Sequence, residues 1–399
     1  MARPDNARLL ELPVELVEWI AQDLSTSDLM STRLACRELE AKVSTVFAKK
    51  CFVDRAFFVN DRTSMLVLVQ IAQHPLYAKT MKRVRFNVAR LLDSKNDHAR
   101  RVSVKEQGGE NRSSRARNRE CRQQYEQLAQ DERRFRKDSQ YSLLSAVLSS
   151  FVVVRNTPAI AIGAHNLDGP TGTHGVQRLR REIGYRSCFA FPSTVKKPFE
   201  NLWVAMMEAE YPITNLTLGN CTFGTYKNRD VPVPLSALSQ GKTKGSFRHL
   251  TSLKLTLPPS HVEGGLEVLD RIDNELVGVL NLLTEAAHLQ KLNLVVPISK
   301  NEPHKRCDPL TLAAIIRSKV ARKPEHLQHI RELTLAGHSL PFRWVVDFVR
   351  EHRVTLRKLV LHEVIEDNRV PRDAEKRLRA ASGREDFVVT MYRAFAGWW

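Results

Sequence analysis

Ile213-Thr214-Asn215-Leu216-Thr217-Leu218 (ITNLTL) holds an apolar residue, two spacers, and two leucines one residue apart. The phrase returns as Leu250-x-x-Leu253-x-Leu255, Leu289-x-x-Leu292-x-Leu294, Ile330-x-x-Leu333-x-Leu335 and Leu356-x-x-Leu359-x-Leu361. Successive central leucines lie 37, 39, 41 and 26 residues apart. A fixed phrase at variable intervals marks a repeat array whose connecting segments differ in length. Alternation puts both leucines of each phrase on one face of a short strand and their neighbours on the other.

The intervals between phrases read as helices. Phe199, Leu202, Trp203 and Met206 form one apolar stripe, and Leu269, Ile272, Leu276, Val279, Leu280 and Leu283 another. Leu312, Ile315 and Ile316, then Val345, Phe348 and Val349, supply shorter ones. Strand followed by helix, repeated, predicts parallel strands stacked edge to edge with helices on one side. A conventional α/β domain whose strands share a phrase is the alternative.

The phrase resembles the leucine-rich-repeat family, most closely in ITNLTLGN (213–220), where Asn220 stands near the family's asparagine position. The other four copies lack that asparagine, so the resemblance implies an irregular solenoid without asparagine ladders. The outward strand positions are Asn215, Thr217, Ser252, Lys254, Lys291, Asn293, Glu332, Thr334, Lys358 and His362. This polar row with a basic lean is a candidate surface for a protein substrate, acidic or phosphorylated. An ordinary solvated face is the other reading.

Toward the N-terminus, Leu12-Pro13 opens a helix with proline expected at its first position. Leu16, Val17, Ile20 and Leu24 give it an apolar stripe, and Ser27-Asp28 offers a cap for a second helix. Met30, Leu34, Leu39, Val43 and Phe47 continue the pattern, with a break expected near Cys36-Arg37. Three short helices cannot enclose a sufficient core, so they need a covering partner. Leu12-Pro13-x-Glu15-Leu16, Ile20, Leu24, Asp28-Leu29, Arg33-Leu34-x-Cys36-Arg37, in this order and spacing, resembles the F-box motif over about a tenth of the chain. Leu39 stands where many members carry an aromatic residue. The resemblance implies docking to the Skp-type linker of a cullin–RING ubiquitin ligase through Leu12, Pro13, Leu16, Ile20, Leu24, Leu29, Leu34 and Cys36. Without that docking, the helices would pack only against the rest of the chain. An F-box-like start before irregular repeats is similar to many fungal F-box proteins.

The full reading is an α/β chain: a three-helix F-box-like module (7–55), a linking helix and first strand (56–92), a basic flexible insertion (93–138) and a leucine-rich-repeat-like solenoid (139–399). The linking segment places a helix at Met65–Ile71 and a strand at Met81–Val88. The insertion carries thirteen Lys and Arg against nine Asp and Glu, densest at Asn111–Arg119. Aromatics suited to base stacking are scarce there, so a solvated insertion is favoured over nucleic-acid binding. An amphipathic helix from Tyr125 through Leu128, Phe135, Leu144, Val147, Leu148 and Phe151 should return the chain to the core.

The totals restrict function further. A chain of 399 residues, 42% hydrophobic and 27% charged, exceeds one ordinary core. Its net charge of +18 permits acidic partners without choosing among them. Six cysteines with no CxxC pair suit a reducing compartment. With neither a signal-peptide pattern nor an uncharged apolar run of about 18 residues, an intracellular protein, cytoplasmic or nuclear, without a membrane partner is expected. DGPTGTHG (168–175) lacks the lysine of a phosphate loop, and His362-Glu363 lacks the second histidine of HExxH. His326 and His329 have no cysteine or carboxylate nearby to complete a metal site. No catalytic residue, cofactor or metal is expected. Trp398 and Trp399 are expected to cap the last repeat.

Overall fold

Each leucine phrase forms a strand where its alternation places one. The computed structural model describes residues 8–88, 123, 126–128, 130–163, 173–174, 192–219, 238, 245–256, 278–279, 281–295, 327–336, 342–362 and 373–392. In chain order these give α1 (Arg8–Glu11), α2 (Val14–Asp23), α3 (Thr26–Ala35), α4 (Arg37–Cys51), β1 (Asp54–Phe58), α5 (Arg62–Gln73), α6 (Pro75–Thr80) and β2 (Arg83–Asn87). There follow α7 (Gln140–Val153), β3 (Ala159–Gly163), β4 (Thr173–His174), α8 (Pro192–Glu208), β5 (Asn215–Leu218), β6 (Ser252–Thr256) and β7 (Lys291–Val295). The last are β8 (Glu332–Ala336), α9 (Phe342–Glu351), β9 (Lys358–His362), α10 (Ala374–Ser382) and β10 (Val388–Tyr392).

The strands form one sheet, ordered β4-β1-β2-β3-β5-β6-β7-β8-β9-β10, and every pairing is parallel. Its register is set by the phrase. Leu216, Leu253, Leu292, Leu333 and Leu359 pair in one row, continued by Ile160 on one side and Val389 on the other. Leu218, Leu255, Leu294, Leu335 and Leu361 form the second row, continued by Ile162, Phe86 and Phe57. All ten of these leucines are buried, as are the leading Ile213, Leu250, Leu289, Ile330 and Leu356. A one-residue slip would turn both rows to the opposite face, so burial locks the register.

The helix stripes complete the same core. Leu144, Val147, Leu148 and Phe151 of α7, Phe199, Leu202, Trp203 and Met206 of α8, and Val345, Phe348 and Val349 of α9 all join the leucine rows. Val279 and Leu283 do so from the described part of the 269–283 stripe. Leu269, Ile272, Leu276, Leu280, Leu312, Ile315, Ile316, Trp398 and Trp399 lie outside the described residues, as does most of the basic insertion. Its end is helical over 130–138, and Phe135 and Leu128 pack on the core. Tyr125 is also outside the described residues.

Several elements differ from expectation. The expected first strand is the second, because Asp54–Phe58 already forms β1. Ala159–Gly163 and Val388–Tyr392 are strands that carry no phrase. The sheet therefore begins before residue 56 and has no break at 139. Pro13 is the residue before α2, not its first helical position. The cap of α3 is Ser25, two residues before the Ser27-Asp28 pair. Ser25 Oγ accepts from the Asp28 backbone N–H at 3.1 Å and donates to its carboxylate at 2.7 Å, satisfying a free amide of the first turn.

Gly219 follows β5 with φ +91°, and a Cβ there would meet the Thr256 Cβ at 2.5 Å. Gly219→Ala should lower stability by about 2–3 kcal/mol through combined backbone strain and overpacking, read from the urea unfolding midpoint. Just before the edge strand β10, Asp386 accepts hydrogen bonds from Arg384 at 2.8 and 3.0 Å and from Arg357. The Arg384 hydrogen bonds, then Arg357, hold its carboxyl down to about 2. A depressed folded value means stabilisation is complete above the ordinary carboxylate value near 4 and lost as pH falls toward 2. Asp386→Asn should thus show a small, salt-sensitive loss of thermal midpoint at neutral pH that shrinks between about pH 4 and 2.

Candidate functional site

The N-terminal helices build a small core and leave a second apolar surface outside it. Val17 and Ala21 of α2, Leu29 of α3, and Leu39, Val43, Val46 and Phe47 of α4 form that core. Lys42 of α4 donates to the carbonyls of Leu10 and Leu12, and Lys50 to those of Gln22 and Leu24. Ammonium groups at helix C-termini satisfy the carbonyls left without partners and oppose the helix dipole favourably. This fastens α1 and α2 to α4.

The stripe expected on α2 divides. Val17 and Ala21 point inward and Leu24 is half-buried, whereas Leu16 is 46% and Ile20 42% exposed. At about 100° per residue, Leu16 and Ile20 sit some 60–100° away from Val17 around the helix, so a single face against α4 cannot hold both sets. Trp19, 68% exposed, lies on the uncovered side with them. On α3, Leu29 is fully buried, while Met30 and Leu34, one turn apart, are exposed, Leu34 at 87%. Pro13, Val14 and Leu9 are exposed, and Leu12 and Cys36 half-buried. Cys36 caps α4, its Sγ accepting from the Leu39 N–H at 3.5 Å.

Of the expected linker contacts, Pro13, Leu16, Ile20 and Leu34 are therefore free to meet another molecule. Leu12, Leu24 and Cys36 are partly so, and Leu29 instead holds α3 on α4. Seven of the thirteen large exposed hydrophobic side chains among the described residues fall between Leu9 and Leu34. Full burial of such a side chain is worth roughly 1.5–3 kcal/mol, and each forgoes the share of it that its exposure leaves, most at Leu34 and Trp19, so this is where a covering protein gains most. Trp19, Val14, Leu9 and Met30 are not among the expected contacts, although Met30 belongs to the helical pattern and Val14 and Trp19 flank the α2 stripe.

Arg33 joins this module to the sheet domain. Its guanidinium lies 3.9 Å above the Phe47 ring and donates to Glu40 at 2.7 Å and to the Tyr77 hydroxyl at 3.1 Å. Tyr77 of α6 stacks on His74 at 3.9 Å and packs against Phe52 at 4.7 Å, while Phe52 meets Phe47 edge-on at 5.4 Å. Phe52 and Tyr77 border both cores, so the two units share side chains.

The outward strand residues line up as expected, in rows. Asn215, Ser252, Lys291, Glu332 and Lys358 pair across four strand boundaries, with Asn215, Lys291 and Lys358 exposed. Thr217, Lys254, Asn293 and Thr334, all half-buried, form the next row. His362 belongs to a third row beside Ala336 and stacks on Tyr392 at 4.0 Å. Burial lowers its pKa. The face also extends to Asp54, Arg83 and Arg85, where Asp54 pairs with Arg85 at 2.8 Å and Arg83 at 3.6 Å. Lys291 pairs with Glu332 at 2.7 Å. The face is thus mostly polar, interrupted by Val360 and the buried Val295 and Ala336, with part of its charge internally paired.

No three His, Cys, Asp or Glu side chains converge on a metal-sized site among the described residues. Among them, no helix is long and apolar enough to cross a membrane. A cavity of about 540 Å³ beside β1 is lined by Phe58, Asp61, Arg62, Phe135 and neighbouring residues. Among the described residues of its lining, Thr63 and Ser139 carry hydroxyls, and none is a histidine or cysteine. The sequence matches no family model, and no curated protein matches it.

The split between buried and exposed leucines is directly testable. Leu29→Ala should destabilise the N-terminal module by about 3 kcal/mol, whereas Leu34→Asp should stay within about 0.5 kcal/mol of the parent. Chemical denaturation of both variants gives the comparison.

Proposed function

We propose that this chain is the substrate-receptor subunit of a Skp–cullin–F-box type ubiquitin ligase. The F-box-like helices dock the Skp-type linker, and the strand face, as an irregular leucine-rich-repeat-like array, holds a protein substrate. The observation that carries this reading is the uncovered apolar surface of α2 and α3, with Leu16, Ile20 and Leu34 on it. A module that leaves such side chains in water while its neighbours are buried is built to be covered. The shared aromatic joint supports the second half of the reading, because it ties a docked linker to the sheet that presents the substrate.

In this role no residue of the chain does chemistry. Acceleration comes from holding a substrate lysine near the ubiquitin-carrying arm, which raises effective concentration. The partly paired, basic-leaning outward rows favour an acidic or phosphorylated segment as substrate.

Co-purification with a Skp-type linker tests the docking. The wild-type chain should capture the linker, and Leu16→Asp/Ile20→Asp should lose it by at least about 100-fold, since two charges enter an apolar interface. Circular dichroism should show the variant folded, because both sites lie outside the core. Capture of the linker without any cullin would instead identify a scaffold outside ubiquitination. Failure of the wild type to bind would leave the helices as a purely structural bundle.

A further inference from the structure

Trp19 stands outside the motif positions that the docking reading uses, yet it is the largest exposed apolar side chain on α2. At about 100° per residue it lies about 60° from Leu16, on the side away from Ile20. It widens the exposed stripe from two residues to three. Beyond it come Glu15, Gln22 and Glu18, and Asp23 lies one turn further along the same stripe. Glu15, Gln22 and Asp23 are exposed and Glu18 half-buried. In a chain of net charge +18, this helix presents carboxylates around an indole.

An exposed tryptophan is costly to maintain in water and typical of the few side chains that dominate a protein interface. Its ring offers a large rigid apolar face, and its N–H must find an acceptor once covered. Carboxylates at the border favour a positively charged rim on the partner and speed the encounter.

We infer that Trp19 is the anchor by which this chain selects its linker. The indole enters a partner pocket that supplies a hydrogen-bond acceptor inside and lysine or arginine at the rim beside Glu15 and Glu18. This rests on the docking reading and adds to it a specificity-determining residue and the chemistry of its receptor.

The test is calorimetric titration of the full chain with a purified Skp-type linker, at low and high salt. Trp19→Ala should weaken binding at least about 30-fold, the scale of an interface hot spot. Trp19→Phe should recover part of that loss but not all, because the N–H is missing. Glu15→Lys/Glu18→Lys should weaken binding at low salt and abolish the wild type's decline in affinity with added salt. Circular dichroism of each variant confirms folding, as expected for a side chain 68% exposed. Wild-type binding that Trp19→Ala leaves within about 3-fold overturns the anchor and leaves the docking reading standing. Wild-type affinity indifferent to salt overturns the basic rim. Absence of any wild-type binding removes the docking reading and the anchor with it.

Discussion

Two rows of leucines, in register across five neighbouring parallel strands, are the constraint on which the rest of this structure depends. Parallel strands cannot be joined by tight turns, so each phrase needs a long connection that returns the chain to the same sheet edge. The apolar stripes of α7, α8 and α9 meet the leucines on one face. With that face sealed, the opposite side of the same strands is left mostly to polar residues, with Val295, Ala336 and Val360 among them. The surface proposed to bind a substrate is therefore a by-product of the alternation that makes the core.

The N-terminal module obeys a different balance. It is too small to bury all its apolar residues, and α2 and α3 each spend one face on α4. What remains uncovered is concentrated on those two helices. Arg33 resolves a second problem, since a helix unit attached by chain alone would reorient freely. Its contacts with Phe47, Glu40 and Tyr77 combine a cation–π contact, an ion pair and a charge-assisted hydrogen bond to a hydroxyl at one junction.

The strands of the five phrases were legible because period-two alternation with a repeated spacing is hard to produce otherwise. β3 and β10 were not, because AIAIG and VVTMY share no phrase with the others. DRAFF, the first strand, hides behind a helix end and opens with a charge pair partner, Asp54, that only the register with Arg83 and Arg85 explains. On α2, periodicity located a helix but could not separate Leu16 and Ile20 from Val17, since all four-residue steps look alike until α4 selects a face. Leu29 illustrates the same limit: a motif position reads equally as contact or core, and burial decides for the core. Of the outward residues, His362 sits a row beyond its companions because the apolar Val360 takes the place beside Thr334.

The central claim is that the exposed side of α2 and α3 is a linker-docking surface. Hydrogen–deuterium exchange of the full chain, with and without a Skp-type linker, tests it most directly. The account predicts slowed exchange on linker addition across residues 9–34, with the leucine strands unchanged. Linker-dependent protection confined to the strands, or none anywhere, would contradict it.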